Sequence, residues 1–321
     1  MTEAARQLEP SVSPGPDMIW IPGGTFDMGA ELPGYPEEGP IHRVSVSGFW
    51  MAKYAVTNRE FAAFVADTGY LSFAERAPRR EDYPDALPEL LVPGSAVFFK
   101  PARPVNPRVV SWWRYIPGAC WHRPRGPGSS IEGLEDHPVV HVVHEDAAAY
   151  AKWAGLALPT EAEWEFAARG GHSGRIFAWG NERMPGGRTM ANSWQGTFPH
   201  ENLRPRPPGT EAVGSYPANG YGLHDMIGNV WEWTDDWYQE RHPANAKKSC
   251  CVPKNPRGGT QDASLDHRAP VGERKPRKVL KGGSFLCAPN YCARDRPAAR
   301  YPEPVDTSTN HIGMRMIARP G

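Results

Sequence analysis

From residue 18 the chain alternates apolar and polar positions in short runs: MIWI at 18 to 21, GTFDM at 24 to 28, and most clearly His42-Arg43-Val44-Ser45-Val46. A period of two, interrupted by Pro and Gly-Gly, predicts β-strands of modest length. Three segments switch to helical spacing. Thr57 with Glu60 three residues on has the form of a capping box, and Phe61, Phe64 and Val65 share one face until Gly69. A second helix is predicted from Glu145-Asp146, with Tyr150 and Trp153 on one face and a stop at Gly155; a third opens at Thr160 with Glu163 at the box position. Beyond Gly170 the pattern is loops and short strands, with a charged, Pro-rich insertion at about 239–277 and no internal repeat. Residues 1–17 carry Pro10, Pro14 and Pro16 without periodicity and read as a flexible tail. Residues 18–321 read as one domain.

Composition sharpens this picture. The 35 Pro and 33 Gly in 321 residues are too much punctuation for a helical or repeat protein. Such content often signals disorder, yet 12 Trp, 11 Tyr and 11 Phe can bury large areas, so a compact, loop-rich domain is expected. With 36 Lys+Arg against 36 Asp+Glu there is no global field to favour nucleic acid or an acidic membrane. No apolar run approaches the roughly 18 residues of a membrane span, and the first residues lack an apolar leader, which predicts a cytoplasmic protein. Five cysteines, Cys120, Cys250, Cys251, Cys287 and Cys292, are too sparse for a secreted disulfide scaffold, so free thiols are expected.

Candidate chemistry concentrates in KGGSFLCAPNYCARDRPAAR, residues 281 to 300. Cys287 and Cys292 have no second close ligand pair to make a zinc ribbon, and on spacing alone they read equally as a buried thiol pair, a disulfide or a metal site. Gly282-Gly283 allows close backbone approach, Ser284 and Tyr291 flank the pair, and Arg294, Arg296 and Arg300 would favour thiolates. Two soft thiolates without another donor suit linear Cu(I). A second group, GYGLHDMIGNVWEWTDDW at 220 to 237, gathers Asp225, Asn229, Glu232, Asp235 and Asp236 around a Gly turn. Calcium accepts such oxygen mixtures, although a solvated acidic loop clamped by aromatics gives the same pattern. His137, His141 and His144 read as structural. The chain has no Walker loop and no G-x-S-x-G elbow.

Taken together, IPGGTFDMG at 21 to 29, YAVTNREFAAF at 54 to 64, LPTEAEWEFAARGG at 158 to 171, MANSWQGTFP at 190 to 199, NGYGLHDMIGNVWEWTDDW at 219 to 237 and the GGSFLC to HIGMR segment resemble the formylglycine-generating enzyme family, the sulfatase-modifying factors. The resemblance runs from about residue 18 to the C-terminus. It implies an α+β domain with low regular secondary structure, related to the C-type-lectin-like fold. It also implies an activity: oxygen-dependent oxidation of the cysteine in a sulfatase Cys-x-Pro-x-Arg motif to Cα-formylglycine, on an unfolded polypeptide and with a reductant.

Carried over by position, Cys287 and Cys292 look like the copper(I) ligands, and Ser284 and Tyr291 like their active-site neighbours. Trp231, Trp233, Arg294 and Arg300 would meet the substrate. Asp225, the Gly228 and Val230 carbonyls and Glu232 match a structural calcium site of the family. A second site beginning at Asn192 and Ser193 meets Pro205-Arg206-Pro207 where an acidic segment is expected. Ala151, Ala168, Pro297 and Met316 stand where secreted members carry disulfide cysteines, and His311 where some members have Asn. A non-catalytic peptide-binding paralogue is the competing reading; loss of the cysteine pair would favour it, and both cysteines are present. A sulfoxide synthase would need an N-terminal metal-binding helical domain, for which the roughly 17 preceding residues leave no room.

Overall fold

The computed structural model describes residues 12–106, 109–243, 252–270 and 274–320. In chain order its elements are β1 (Met18–Ile21), β2 (Gly24–Met28), β3 (His42–Val46), β4 (Phe49–Ala52), α1 (Asn58–Thr68), β5 (Gly94–Phe98), β6 (Trp113–Pro117), α2 (His144–Trp153), α3 (Glu161–Ala168), β7 (Trp231–Trp237), β8 (Arg277–Lys281), β9 (Arg300–Pro304), β10 (Ile312–Gly313) and β11 (Ile317–Ala318). Strands β1, β4 and β11 form one sheet, so an early and a late segment of the chain share it. A four-stranded sheet has the order β10-β7-β8-β9, with β10 parallel to β7; β2-β3 and β5-β6 are two-stranded ribbons. This is an α+β fold in which short elements are separated by long loops.

Helices α1 and α3 open where their capping boxes placed them, and α2 starts at His144, one residue before the expected Glu145-Asp146. Thr57 and Glu60 close the expected box on α1, and Gly69 ends it at φ 67°. Thr160 and Glu163 do the same for α3. The pattern did not disclose that α3 is buried on every side. Its three glutamates are therefore matched one by one. Glu161 takes Arg300, Glu165 takes Lys281 and Arg169, and Glu163 takes Arg319. Buried carboxylates persist only when paired in this way. Because Lys281 is the last residue of β8, its 3.0 Å bond to Glu165 fixes where that strand stops and where the loop carrying the cysteines begins.

Aromatic packing supplies the core that regular structure does not. Phe61, Phe64, Trp121, Tyr150, Trp231, Trp233 and Cys287 belong to one buried cluster; Trp112, Trp194, Phe198, Phe285 and Leu286 belong to another. Cys287 thus sits where two aromatic clusters approach each other in sequence. Of the insertion, Pro253 and Asn255 bond to β3 through the backbone of Ser45, and Arg257 pairs with Asp235 and Asp236. Cys250 and Cys251 lie outside the described residues, as do residues 1–11 of the tail. No helix among the described residues is long and apolar enough to cross a membrane.

Candidate active site: a cleft with two thiols

After Lys281 the chain turns at Gly282 and Gly283, at φ 92° and 73°. A Cβ on Gly283 would lie 2.9 Å from the backbone of Asp295, so only glycine lets the two arms of the loop pass. The loop then closes on itself: Ala288 and Cys292 exchange both backbone hydrogen bonds, and Cys287 N–H donates to the Ser284 carbonyl. This return brings two cysteines five residues apart to an Sγ–Sγ distance of 3.8 Å. That is far beyond the roughly 2.05 Å of a disulfide, and both thiols are free. One soft ion can touch both.

The two sulfurs are electrostatically unlike. A hydrogen bond from the Cys287 thiol draws the Cys292 pKa down, burial opposes it, and the Arg294 guanidinium 3.7 Å away adds to the lowering, for a result of about 7. Burial pushes Cys287 up, well above the usual thiol range. Cys292 is therefore the sulfur that ionises near neutrality. In the metal-free chain, iodoacetamide is expected to label Cys292 before Cys287, with a rate that rises through pH about 7. Peptide mapping after timed alkylation checks this, and a midpoint above pH 8.5, the value of an ordinary thiol, would contradict it.

Both cysteines line an open cleft of about 500 Å³. Tyr291, 42% exposed, stacks on Phe198 at 4.7 Å between ring centres and meets Trp112 edge-on at 5.4 Å. Trp231 and Tyr301 form a second aromatic pair, 5.8 Å apart. Ser284 is buried; its hydroxyl accepts the Leu286 N–H and its own N–H donates to the Cys287 sulfur at 3.4 Å. Arg294 reaches Cys292 with one nitrogen and Glu37 with another.

Two expected substrate contacts are corrected. Arg300 is 1% exposed and does not line the cleft, and its guanidinium is engaged by Glu161 and by the carbonyls of Glu37 and Gln239, so it does not face a ligand. Trp233 is fully buried, and its indole N–H is given to Val142 O. Arg296 likewise serves Glu38 instead of the sulfurs. The cleft holds residues that the sequence reading missed: Trp112, Phe198, Glu303 and Thr309, and also His311, which it did not place here. Burial raises Glu303 to about 7 and lowers His311 to about 3, and Thr309 hydrogen-bonds His311 Nδ1 at 2.6 Å.

The carboxylates of the acidic segment lie outside the cleft, which takes only Trp231 from it. Asp225 adopts φ 54° and accepts Gly214 N–H with one carboxylate oxygen; the other, Oδ1, is buried with no partner. A buried orphan oxygen fits a cation. Glu232 differs, since both its oxygens take Arg315 and one also takes the Trp164 indole N–H at 2.7 Å. At the other expected site, Asn192 Oδ1 accepts Arg204 Nη1 at 2.7 Å and the Ser193 carbonyl accepts the same nitrogen at 3.5 Å. Arg204 Nη2 binds Glu211 and the Tyr216 hydroxyl. A guanidinium already fills that oxygen cage, so these residues do not fit a metal ion.

A family model described as a sulfatase-modifying factor enzyme 1-like domain matches residues 4–320. The chain belongs to the formylglycine-generating enzyme (sulfatase-modifying factor) family. It is 47% identical to a formylglycine-generating enzyme of Mycobacterium tuberculosis over 307 residues, covering 95% of this chain and 98% of that one. It is also 41% identical to the inactive C-alpha-formylglycine-generating enzyme 2 of Mus musculus, over 85% of each chain. Among solved structures, PvdO from Pseudomonas aeruginosa superposes with a TM-score of 0.61 over 99% of this chain and 100% of the other, at 20% identity, which speaks to the fold alone. Since the family includes members named inactive, the fold does not decide activity. The cleft has to.

Proposed function

We propose that this family member oxidises the cysteine of a sulfatase Cys-x-Pro-x-Arg segment to Cα-formylglycine, using molecular oxygen, a reductant and a copper(I) ion held by Cys287 and Cys292. One observation carries the reading: two free thiols 3.8 Å apart, lining an aromatic cleft open to solvent. Paired sulfur donors select soft monovalent copper over the harder divalent ions. Bound there, copper would supply the redox chemistry that an amino-acid side chain cannot.

The net reaction balances on chemistry alone. The peptidyl CH₂–SH loses its C–S bond and one C–H bond and gains C=O. Oxygen accepts two electrons from the substrate and two from the reductant, and with two protons the products are aldehyde, hydrogen sulfide and water. The chain's own groups prepare the site for this. Cys292 is close to ionised at neutral pH, Cys287 gives up its proton when a metal displaces it, and Arg294 offsets the charge that results. Tyr291, Phe198 and Trp112 offer an apolar wall against which an extended peptide can lie, and Trp231 lines the same cleft. Ser284 acts as a positioning residue, because its N–H and hydroxyl hold the start of the cysteine loop.

Copper-loaded protein incubated with reductant and a Cys-x-Pro-x-Arg peptide is expected to release sulfide in step with oxygen uptake. Peptide that binds but yields neither sulfide nor peptide-dependent oxygen uptake would contradict the reaction and favour a peptide-binding role.

For calcium we propose one site, at Asp225 and the carbonyls of Gly228 and Val230, with Glu232 shared between the ion and Arg315. Support comes from the orphan Asp225 Oδ1. Burial raises the pKa of Asp225, and a bound cation would favour its ionised form. Metal analysis of the purified chain is expected to return one calcium per chain. Two tightly held ions would mean that calcium displaces Arg204 from Asn192.

A further inference from the structure

Outside the cleft, three side chains with three different donor atoms converge: the Cys120 thiol, the His122 imidazole and the Glu75 carboxylate, with one ligand atom from each all within 4.8 Å of one another. None of them lines the cleft of Cys287 and Cys292. We propose that they form a further metal site, which takes zinc and ties the turn at residues 72–75 to the turn at residues 118–123.

The donors are already aimed. Glu75 ends a 3-10 turn, Phe73–Glu75, and its Oε2 is held by the Ser72 N–H at 3.1 Å and the Ser72 hydroxyl at 2.7 Å. That anchorage leaves Oε1 turned to His122 Nε2, 3.8 Å away. Cys120 and Arg123 exchange both backbone hydrogen bonds at 3.1 Å, and this tight turn places residues 120 and 122 on the same side as Glu75. The His122 ring packs edge-on against Trp121, at 5.1 Å, which limits its rotation.

The chemistry of the set selects the ion. A thiol, an imidazole and a carboxylate together are the borderline donors that zinc accepts, whereas calcium and magnesium need oxygen and copper(I) prefers sulfur. Three protein ligands leave one tetrahedral position for water. His122 is one-third exposed and Glu75 less so, which leaves an entry path, while the Cys120 thiol is buried. On binding, the ion displaces the Cys120 proton to solvent, and no redox change is involved.

Cobalt(II) serves as the spectroscopic probe. In full-length chain with Cys250, Cys251, Cys287 and Cys292 changed to Ser, Cys120 is the only thiol. One equivalent of cobalt is expected to produce a thiolate-to-cobalt charge-transfer band that zinc abolishes by displacement. His122→Ala, at a partly exposed position, should weaken metal binding by at least roughly the 10-fold seen for lost supporting residues. Glu75→Gln, which keeps an oxygen on Ser72, should weaken it by a similar factor. The zinc-induced rise in melting temperature of the otherwise native chain should fall in His122→Ala, which needs no cysteine replaced. Absence of the cobalt band, or a band and a zinc response unchanged in His122→Ala, would overturn the site.

Discussion

Cys287→Ser and Cys292→Ser are each expected to reduce aldehyde formation to background and to abolish stoichiometric copper(I) binding, while the protein stays folded. Each removes one of two sulfurs, and a hydroxyl is a poor ligand for a soft ion. The cost to stability stays small beside that loss. Serine at 287 buries a hydroxyl in place of a thiol, a change worth about 1 to 3 kcal/mol, and the Ser284 N–H that now meets the Cys287 sulfur remains to be accepted. Against a typical total of about 5 to 15 kcal/mol the fold persists. Circular dichroism and copper titration on each variant separate the two effects. A variant that is folded, binds no copper and still turns over would remove the thiols from the chemistry.

Glu232→Ala is expected to be the most destabilising single change in the acidic turn, for a reason separate from calcium. Glu232 and Arg315 are 1% and 0% exposed, and the carboxylate also holds the Trp164 indole. Arg315 in turn donates to the carbonyls of Ala52, Lys53 and His224, so one guanidinium joins β4, the acidic turn and the last segment of the chain. Removing the carboxylate strands a buried cation, which costs about 3 to 5 kcal/mol. Because the loss comes from the ion pair, it should appear in chelator as well as in calcium. Asp225→Ala isolates the metal instead: it should lower the melting temperature in calcium and make the protein indifferent to chelator. A Glu232→Ala protein as stable as wild type in chelator would mean that Arg315 finds another partner. A calcium response that survives in Asp225→Ala would move the ion elsewhere.

Local signals carried far in this sequence. The capping boxes at Thr57 and Thr160 involve residues three apart, and both formed as written. The Cys287–Cys292 pair was visible for the same reason, since one loop supplies both sulfurs and the glycines that shape it. Contacts made at long range were not legible. Trp112 and Phe198 come from segments far from residue 287, and nothing in their own neighbourhoods distinguishes them from core aromatics. Glu303 sits in a Pro-flanked run that reads as a solvated loop.

Errors arose where neighbours of one type take different jobs. Arg294 and Arg300 lie six residues apart in a single basic run; the first turns to Cys292, while the second opens β9 opposite Lys281 and meets Glu161 of α3. Trp231 and Trp233 share a face of β7, yet two residues of strand advance roughly 6.6 Å, enough to carry the second ring out of the cleft and beneath Val142. At Asn192 the sequence already lacks the acidic segment that calcium would need, and Arg204, sent back by the turn that follows, takes the cation's place. Charge balance there was satisfied by the chain itself, which no spacing rule reveals.

Mass spectrometry of a Cys-x-Pro-x-Arg peptide before and after incubation with copper-loaded protein, oxygen and reductant tests the central claim most directly. The account predicts that the peptide cysteine loses its sulfur and appears as an aldehyde, trapped as a hydrazone, in wild type and in neither cysteine variant. A peptide recovered with its thiol intact, from protein shown to carry one copper(I) on Cys287 and Cys292, would contradict it.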